Sequence, residues 1–145
     1  MLLTFSAVLL VFLAIIPPLQ RNPFYLINSA VVIGIAWFLE TYCFRATPFA
    51  PKTFMLLVVV QFVTINITTF VAYYIDKRAA IRGSYRISEK NLHMLEFLGG
   101  SFGALLGQKF LRHKSKKRSY QFMFHLIVIA QFAAVFAILR FLHFI

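Results

Sequence analysis

The sequence predicts an all-α fold: a polytopic helical membrane protein with about four spans and an additional glycine-rich segment that either re-enters or makes a fifth crossing. Three observations predict it. Hydrophobic residues make up 61% of the 145, against roughly 45–50% in an ordinary soluble domain. Apolar runs of span length recur along the chain, and such runs read as membrane helices. Lys and Arg number 15 against 4 Asp and Glu, and they gather between the apolar runs, as in cytoplasmic loops. A formal charge of +11 would suggest nucleic acid in a soluble protein. Beside apolar spans it reads first as topology, and nucleic acid is not an expected partner of this chain.

The first span is Leu2 to Leu19, stopped by Pro17-Pro18. It lacks a basic leading region and a small-residue cleavage site, so it reads as a retained helix. The second runs from Pro23 to Phe44, with Trp37, Glu40 and Tyr42 near a membrane interface. Cys43 is the single cysteine, which excludes an intrachain disulfide and a cysteine-based metal cluster. The loop RATPFAPK follows, broken by two prolines.

The third span is Thr53 to Ile75. On a helical wheel Asn66, Thr69, Tyr73 and Asp76 share an arc of about 80°. Lipid cannot satisfy such groups, so the stripe faces protein. Next comes DKRAAIRGSYRISEK, with Lys77, Arg78, Arg82, Arg86 and Lys90, broken at Gly83-Ser84. Ser88 is placed to cap a helix, with Glu89 in its first turn.

The stretch HMLEFLGGSFGALLG, inside residues 92–108, is apolar yet holds His93, Glu96 and four glycines. On a continuous helix from Glu89 to about Leu111, Glu89, His93, Glu96, Gly100, Gly103 and Gly107 fall within about 80°. That face is a natural partner for the stripe of the third span. Beyond it lie six more cations, Lys109, Arg112, Lys114, Lys116, Lys117 and Arg118, and then the last span, Tyr120 to Leu139. Crossing once would put one basic cluster outside, against the positive-inside tendency. The charge pattern therefore favours a dip that turns at Gly99-Gly100, covered by other protein.

The ordered residues Asn66, Phe70, Asp76-Lys77-Arg78-Ala79-Ala80, Arg86-Ile87-Ser88-Glu89, Leu92-His93, Gly99-Gly100, Gly103-Ala104 and Arg112-His113-Lys114, with Lys117 and Tyr120, resemble the bacterial membrane family catalogued as domain of unknown function 1294. The likeness covers residues 56 to 139 and divides the chain into N-terminal membrane helices, 1–55, and a core membrane domain, 56–145. It implies a multi-pass protein of the bacterial cytoplasmic membrane with no assigned activity; the residues themselves lead us to expect no cofactor. Some relatives carry an N-terminal cold-shock domain. Here the first 55 residues are spans without the basic and aromatic strands of such a barrel. Phe102 stands where similar proteins often have proline.

Candidate chemistry lies in the ionisable residues near the membrane. Asp76, Glu89, His93 and Glu96, with Asn66, form an expected polar membrane cluster, because intramembrane ionisable residues are functional candidates by default. The bland role for Glu96 is to pair with a loop arginine such as Arg78, Arg82 or Arg86. His93 and Glu96 at i, i+3 match half of a carboxylate–histidine metal motif, but it occurs once, so no metal is expected. No nucleophile elbow, Walker loop or HExxH accompanies them. Arg86, Arg112, His113 and Lys114 are the expected ligand contacts, since juxtamembrane cations attract anionic head groups and arginine forks suit phosphates. The first expectation is a binding protein for an anionic phospholipid. A small ion or proton transporter, in a homo-oligomer, is the second. A lipid-phosphate enzyme is the third, and a nucleic-acid-associated membrane protein the fourth.

Overall fold

A computed structural model describes residues 22–42 and 51–141. All regular structure in them is helical: α1 Pro23–Tyr42, α2 Pro51–Arg82, α3 Glu89–Leu95, a π-helical turn Glu96–Gly100, α4 Ser101–Leu111 and α5 Arg118–Phe141. Two helices are long and apolar enough to cross a membrane, over Met55–Arg82 and Arg118–Phe141, and Pro23–Leu39 is a shorter apolar helix. The four expected spans thus reduce to two that meet the criterion among the described residues. Leu2–Leu19, Cys43 and His143 lie outside those residues.

The chain divides into two compact units after Thr68. In the first, Asn22 caps α1 by accepting the Phe24 N–H at 3.2 Å, with Pro23 at the first helical position, where its missing donor costs nothing. Tyr25, Asn28, Ser29, Val32 and Ala36 are buried, a stripe at helical spacing. It faces the N-terminal part of α2. There Asn28 donates to Gln61 at 3.5 Å and accepts from Thr68 at 3.4 Å, and Ala36 meets Leu57. Asn66 is buried and donates to the Phe62 carbonyl at 2.7 Å.

In the second unit, α2 continues past Ile75 through DKRAAIR to Arg82, further than hydropathy suggested. Gly83, at φ 66°, ends it, and the Ser84 N–H reaches back to the Ala79 carbonyl at 3.0 Å. This is a glycine C-cap, the left-handed residue satisfying a carbonyl the helix would leave open. Thr69, Ala72, Tyr73, Asp76 and Ala79 form its buried stripe. The Ser88 hydroxyl caps α3 by accepting from Asn91 N–H.

The segment from Glu89 to Leu111 is not one helix. Gly99 sits at φ 109°, ψ 0°, a conformation side chains resist. A straight helix over those residues would hold its ends about 33 Å apart. Instead, Lys117 Nζ lies 2.8 Å from the Glu89 carboxylate. The chain folds back on itself at Gly99-Gly100, and α3 and α4 are the arms of a hairpin, with Phe102 exposed just beyond the turn.

Candidate functional site

The hairpin lies along α2 in register. Its tip, Gly100, approaches Thr69 so closely that an added Cβ would stand 2.9 Å from Thr69 Cβ and 2.7 Å from the Leu95 carbonyl oxygen. In the second arm, an added Cβ at Gly107 would meet the Tyr73 ring and Cβ at 2.9 Å. Glycine there serves close helix approach. The mouth of the hairpin lies two helical turns along α2, at Asp76, about 10 Å from Thr69. Opening the helix at the tip frees carbonyls, and α5 satisfies them. Gln131 Nε2 donates to Glu96 O at 2.7 Å and Phe97 O at 3.0 Å, and its Oε1 accepts from Ser101 Oγ at 2.7 Å.

Two clusters are stacked along this axis. In the inner one, Glu96 is fully buried. Its Oε1 accepts from Tyr73 OH at 2.5 Å and Tyr120 OH at 2.6 Å, and the two hydroxyls are 2.7 Å apart. Its Oε2 lies 2.6 Å from His93 Nδ1. The His93 ring stacks on Tyr120 at 4.1 Å. Gln108 Nε2 donates to Tyr73 OH at 3.3 Å, and Gln108 Oε1 accepts from Gln121 Nε2 at 2.7 Å. Four α-helices and the π-helical turn thus supply one closed polar network. The expected pairing of Glu96 with a loop arginine is not what forms: the carboxylate points back along α3, as helical side chains do, and meets hydroxyls and an imidazole.

The outer cluster is built on Asp76, also fully buried. Its Oδ1 accepts the Ile87 N–H at 3.0 Å. Its Oδ2 gathers His113 Nε2 at 2.7 Å, Lys114 Nζ at 3.3 Å and Arg86 Nη2 at 3.6 Å. Lys114 also lies 3.4 Å from Glu89 and stands over the Tyr120 ring, 5.1 Å from its centre. The hydrogen bond from Lys117, and then the charge of Lys114, hold the Glu89 carboxyl below its ordinary range despite partial burial. So one carboxylate ties together the end of α2, the segment entering the hairpin and the loop leaving it.

Of the expected ligand contacts, Arg86, His113 and Lys114 converge, but on Asp76. Arg112 is exposed, takes a left-handed conformation at the end of α4 and makes no ion pair with a described residue. Asp76, Glu89, His93 and Glu96 of the expected polar cluster all line the hairpin, split between the two clusters. Sequence reasoning did not name Gln108, Gln121 and Gln131. Their signal was an amide inside an apolar helix, which needs a partner there.

A family profile described as "Protein of unknown function (DUF1294)" matches residues 66–120. That stretch starts at Asn66, ends at Tyr120 and contains every residue of both carboxylate clusters except Gln121. The uncharacterized protein YsdA of Bacillus subtilis (strain 168) is 32% identical to this chain over 76 residues, covering 52% of the chain and 85% of YsdA. No solved structure matches. On the likeness to YsdA and the profile match together, the chain belongs to the DUF1294 family, whose members have no assigned activity.

Proposed function

We propose that the chain is a multi-pass protein of the bacterial cytoplasmic membrane that holds anionic phospholipid head groups at the basic end of its helices. The hairpin is the re-entrant element. It reaches about 10 Å below Asp76, less than half of a hydrocarbon core of about 30 Å, so both basic loops stay on the cytoplasmic side. Thr69 and Gln131 cover its open backbone, which is what a non-helical turn at membrane depth requires.

The observation that carries this reading is a charge imbalance. Asp76 and Glu89 are the carboxylates at that end, and His113, Lys114 and Lys117 already occupy them. Arg78, Arg82, Arg86, Lys90, Arg112 and Lys116 stay exposed, and only Arg86 among them has an acidic neighbour, at 3.6 Å. Anionic head groups supply the missing counter-charge, at about 1 kcal/mol per cation. Native mass spectra of the purified protein test this. Phosphatidylglycerol should be retained over phosphatidylcholine, and an Arg86→Ala/Arg112→Ala variant should bind it about 30-fold more weakly. Equal retention of the zwitterionic lipid sinks the proposal.

A second reading, a proton or ion path, is favoured by Glu96, a buried carboxylate with no lysine or arginine against it among the described residues. Proton flux in proteoliposomes that Glu96→Gln abolishes would support it.

A further inference from the structure

Where α2 leaves its apolar stretch, an open groove of about 380 Å³ is lined by Tyr74, Ile75, Arg78, Ala79, Arg82 and, from the following loop, Ser84 and Tyr85. That volume lies within the usual range of ligand sites, roughly 300–1,000 Å³. Arg78 and Arg82 are one helical turn apart, so they share a face and repel one another. Neither forms an ion pair with a described carboxylate. Arg78 is held in place: its Nε donates to Tyr74 OH at 3.0 Å, and its guanidinium stands over the Tyr74 ring, 5.3 Å from the centre. With Nε engaged, the two terminal amino groups remain free to fork onto an anion.

The wall of the groove on the N-terminal side of Arg78 is apolar. Ile75 and Tyr74 are 43% and 42% exposed, and Val71 continues the same surface one turn deeper. Tyr85 is 95% exposed at the rim, the kind of residue found at head-group level. The groove therefore offers two guanidiniums that suit a phosphate and, beside them along α2, apolar side chains that suit hydrocarbon.

We infer that this groove is a specific site for one anionic glycerophospholipid of the cytoplasmic leaflet, its phosphate forked between Arg78 and Arg82 and an acyl chain lying on Tyr74, Ile75 and Val71. Neither arginine is among the ligand contacts expected from sequence. The inference rests on the lipid-binding reading above and narrows it to one place.

Phosphatidylglycerol binding to the full chain in micelles separates the two. Arg78→Ala/Arg82→Ala should weaken it about 30-fold and leave phosphatidylcholine binding unchanged. Arg78→Lys/Arg82→Lys keeps the charge and loses the fork, so it should lie between that variant and the wild type. It also guards against a folding defect in the alanine variant, and wild-type affinity in it overturns the fork. Inorganic phosphate should compete only weakly, because it lacks the chain. Full displacement of the lipid by phosphate at comparable concentration overturns the lipid assignment. If Arg78→Ala/Arg82→Ala binds as wild type while Arg86→Ala/Arg112→Ala does not, the groove is wrong and the basic-end reading stands. If neither variant loses affinity, both fail.

Discussion

Asp76 and Glu96 are both carboxylates with no solvent exposure, one on α2 and the other at the start of the hairpin turn, yet their surroundings differ in kind. Asp76 faces His113, Lys114, Arg86 and a backbone N–H. Glu96 faces two phenol hydroxyls and an imidazole. A buried charge is tolerated only when it is paired and hydrogen-bonded. Around Asp76 the pairing is provided by the cations Lys114 and Arg86, with His113 and a backbone N–H beside them, so the fold ties this carboxylate to fixed charges. Around Glu96 every partner is a hydroxyl or an imidazole, so hydrogen bonds hold it with no lysine or arginine against it among the described residues. The first cluster is a fastening of opposite charges, and the second is a network of hydrogen bonds.

Isosteric amides break this comparison most directly. Asp76→Asn keeps an acceptor for the Ile87 N–H but leaves Lys114, whose side chain is 5% exposed, facing a neutral group. Removing one partner of a buried pair costs about 3–5 kcal/mol. That is the largest effect expected, and equilibrium unfolding in mixed micelles followed by circular dichroism measures it. A cost below about 1 kcal/mol would mean that Lys114 swings out to solvent and that Asp76 fastens nothing.

Next in size is the tip. Gly100→Ala forces a Cβ against Leu95 O and Thr69, backbone and β-branched neighbours that yield poorly. Overpacking of this kind costs about 1–3 kcal/mol, read in the same unfolding experiment. Gly34 has open space around an added Cβ, so Gly34→Ala is the control that should cost nothing.

Glu96→Gln should be milder. The amide oxygen still accepts from Tyr73 and Tyr120, and the imidazole can change tautomer to accept from the new N–H. A loss below about 1.5 kcal/mol is expected. If Glu96→Gln costs as much as Asp76→Asn, the two carboxylates are alike and the distinction drawn between them collapses.

How far these clusters were legible in the sequence follows from the range of each signal. The turn at Gly99-Gly100 was readable because two adjacent glycines interrupt the apolar stretch and one of them takes a positive φ. The Ser88 cap and the Thr69–Tyr73–Asp76 stripe were readable because capping and helical period are local. The extent of α2 was not: Asp76-Lys77-Arg78 resembles a loop in hydropathy, but Ala79-Ala80 favours helix, and Gly83 supplies the true stop. The partners of Glu96 were also hidden. Tyr120 stands 24 positions away at the start of α5, and Tyr73 lies on α2, so no local pattern joins them. His113 and Lys114 looked like contacts for an external anion. Their type was right for that, and only the fold reveals an internal carboxylate within reach.

The smallest effect sharpens the comparison from the outside. Glu89 is 39% exposed and sits 2.8 Å from Lys117 and 3.4 Å from Lys114. Lys117's hydrogen bond is the largest cause holding its carboxyl below the ordinary value of 4.5. A depressed carboxyl stabilises the fold above its unfolded pKa, and that contribution disappears as pH falls through the folded value. So the thermal midpoint of wild type should exceed that of Glu89→Gln at pH 7, and the gap should close as acid protonates Glu89. Solvent screening limits the gap to at most about 1 kcal/mol, and 1 M salt should shrink it further. A gap that persists unchanged below pH 3 would mean that Glu89 holds the hairpin mouth through packing, not charge. The contrast between a screened mouth and a cation-locked Asp76 would then have to be redrawn.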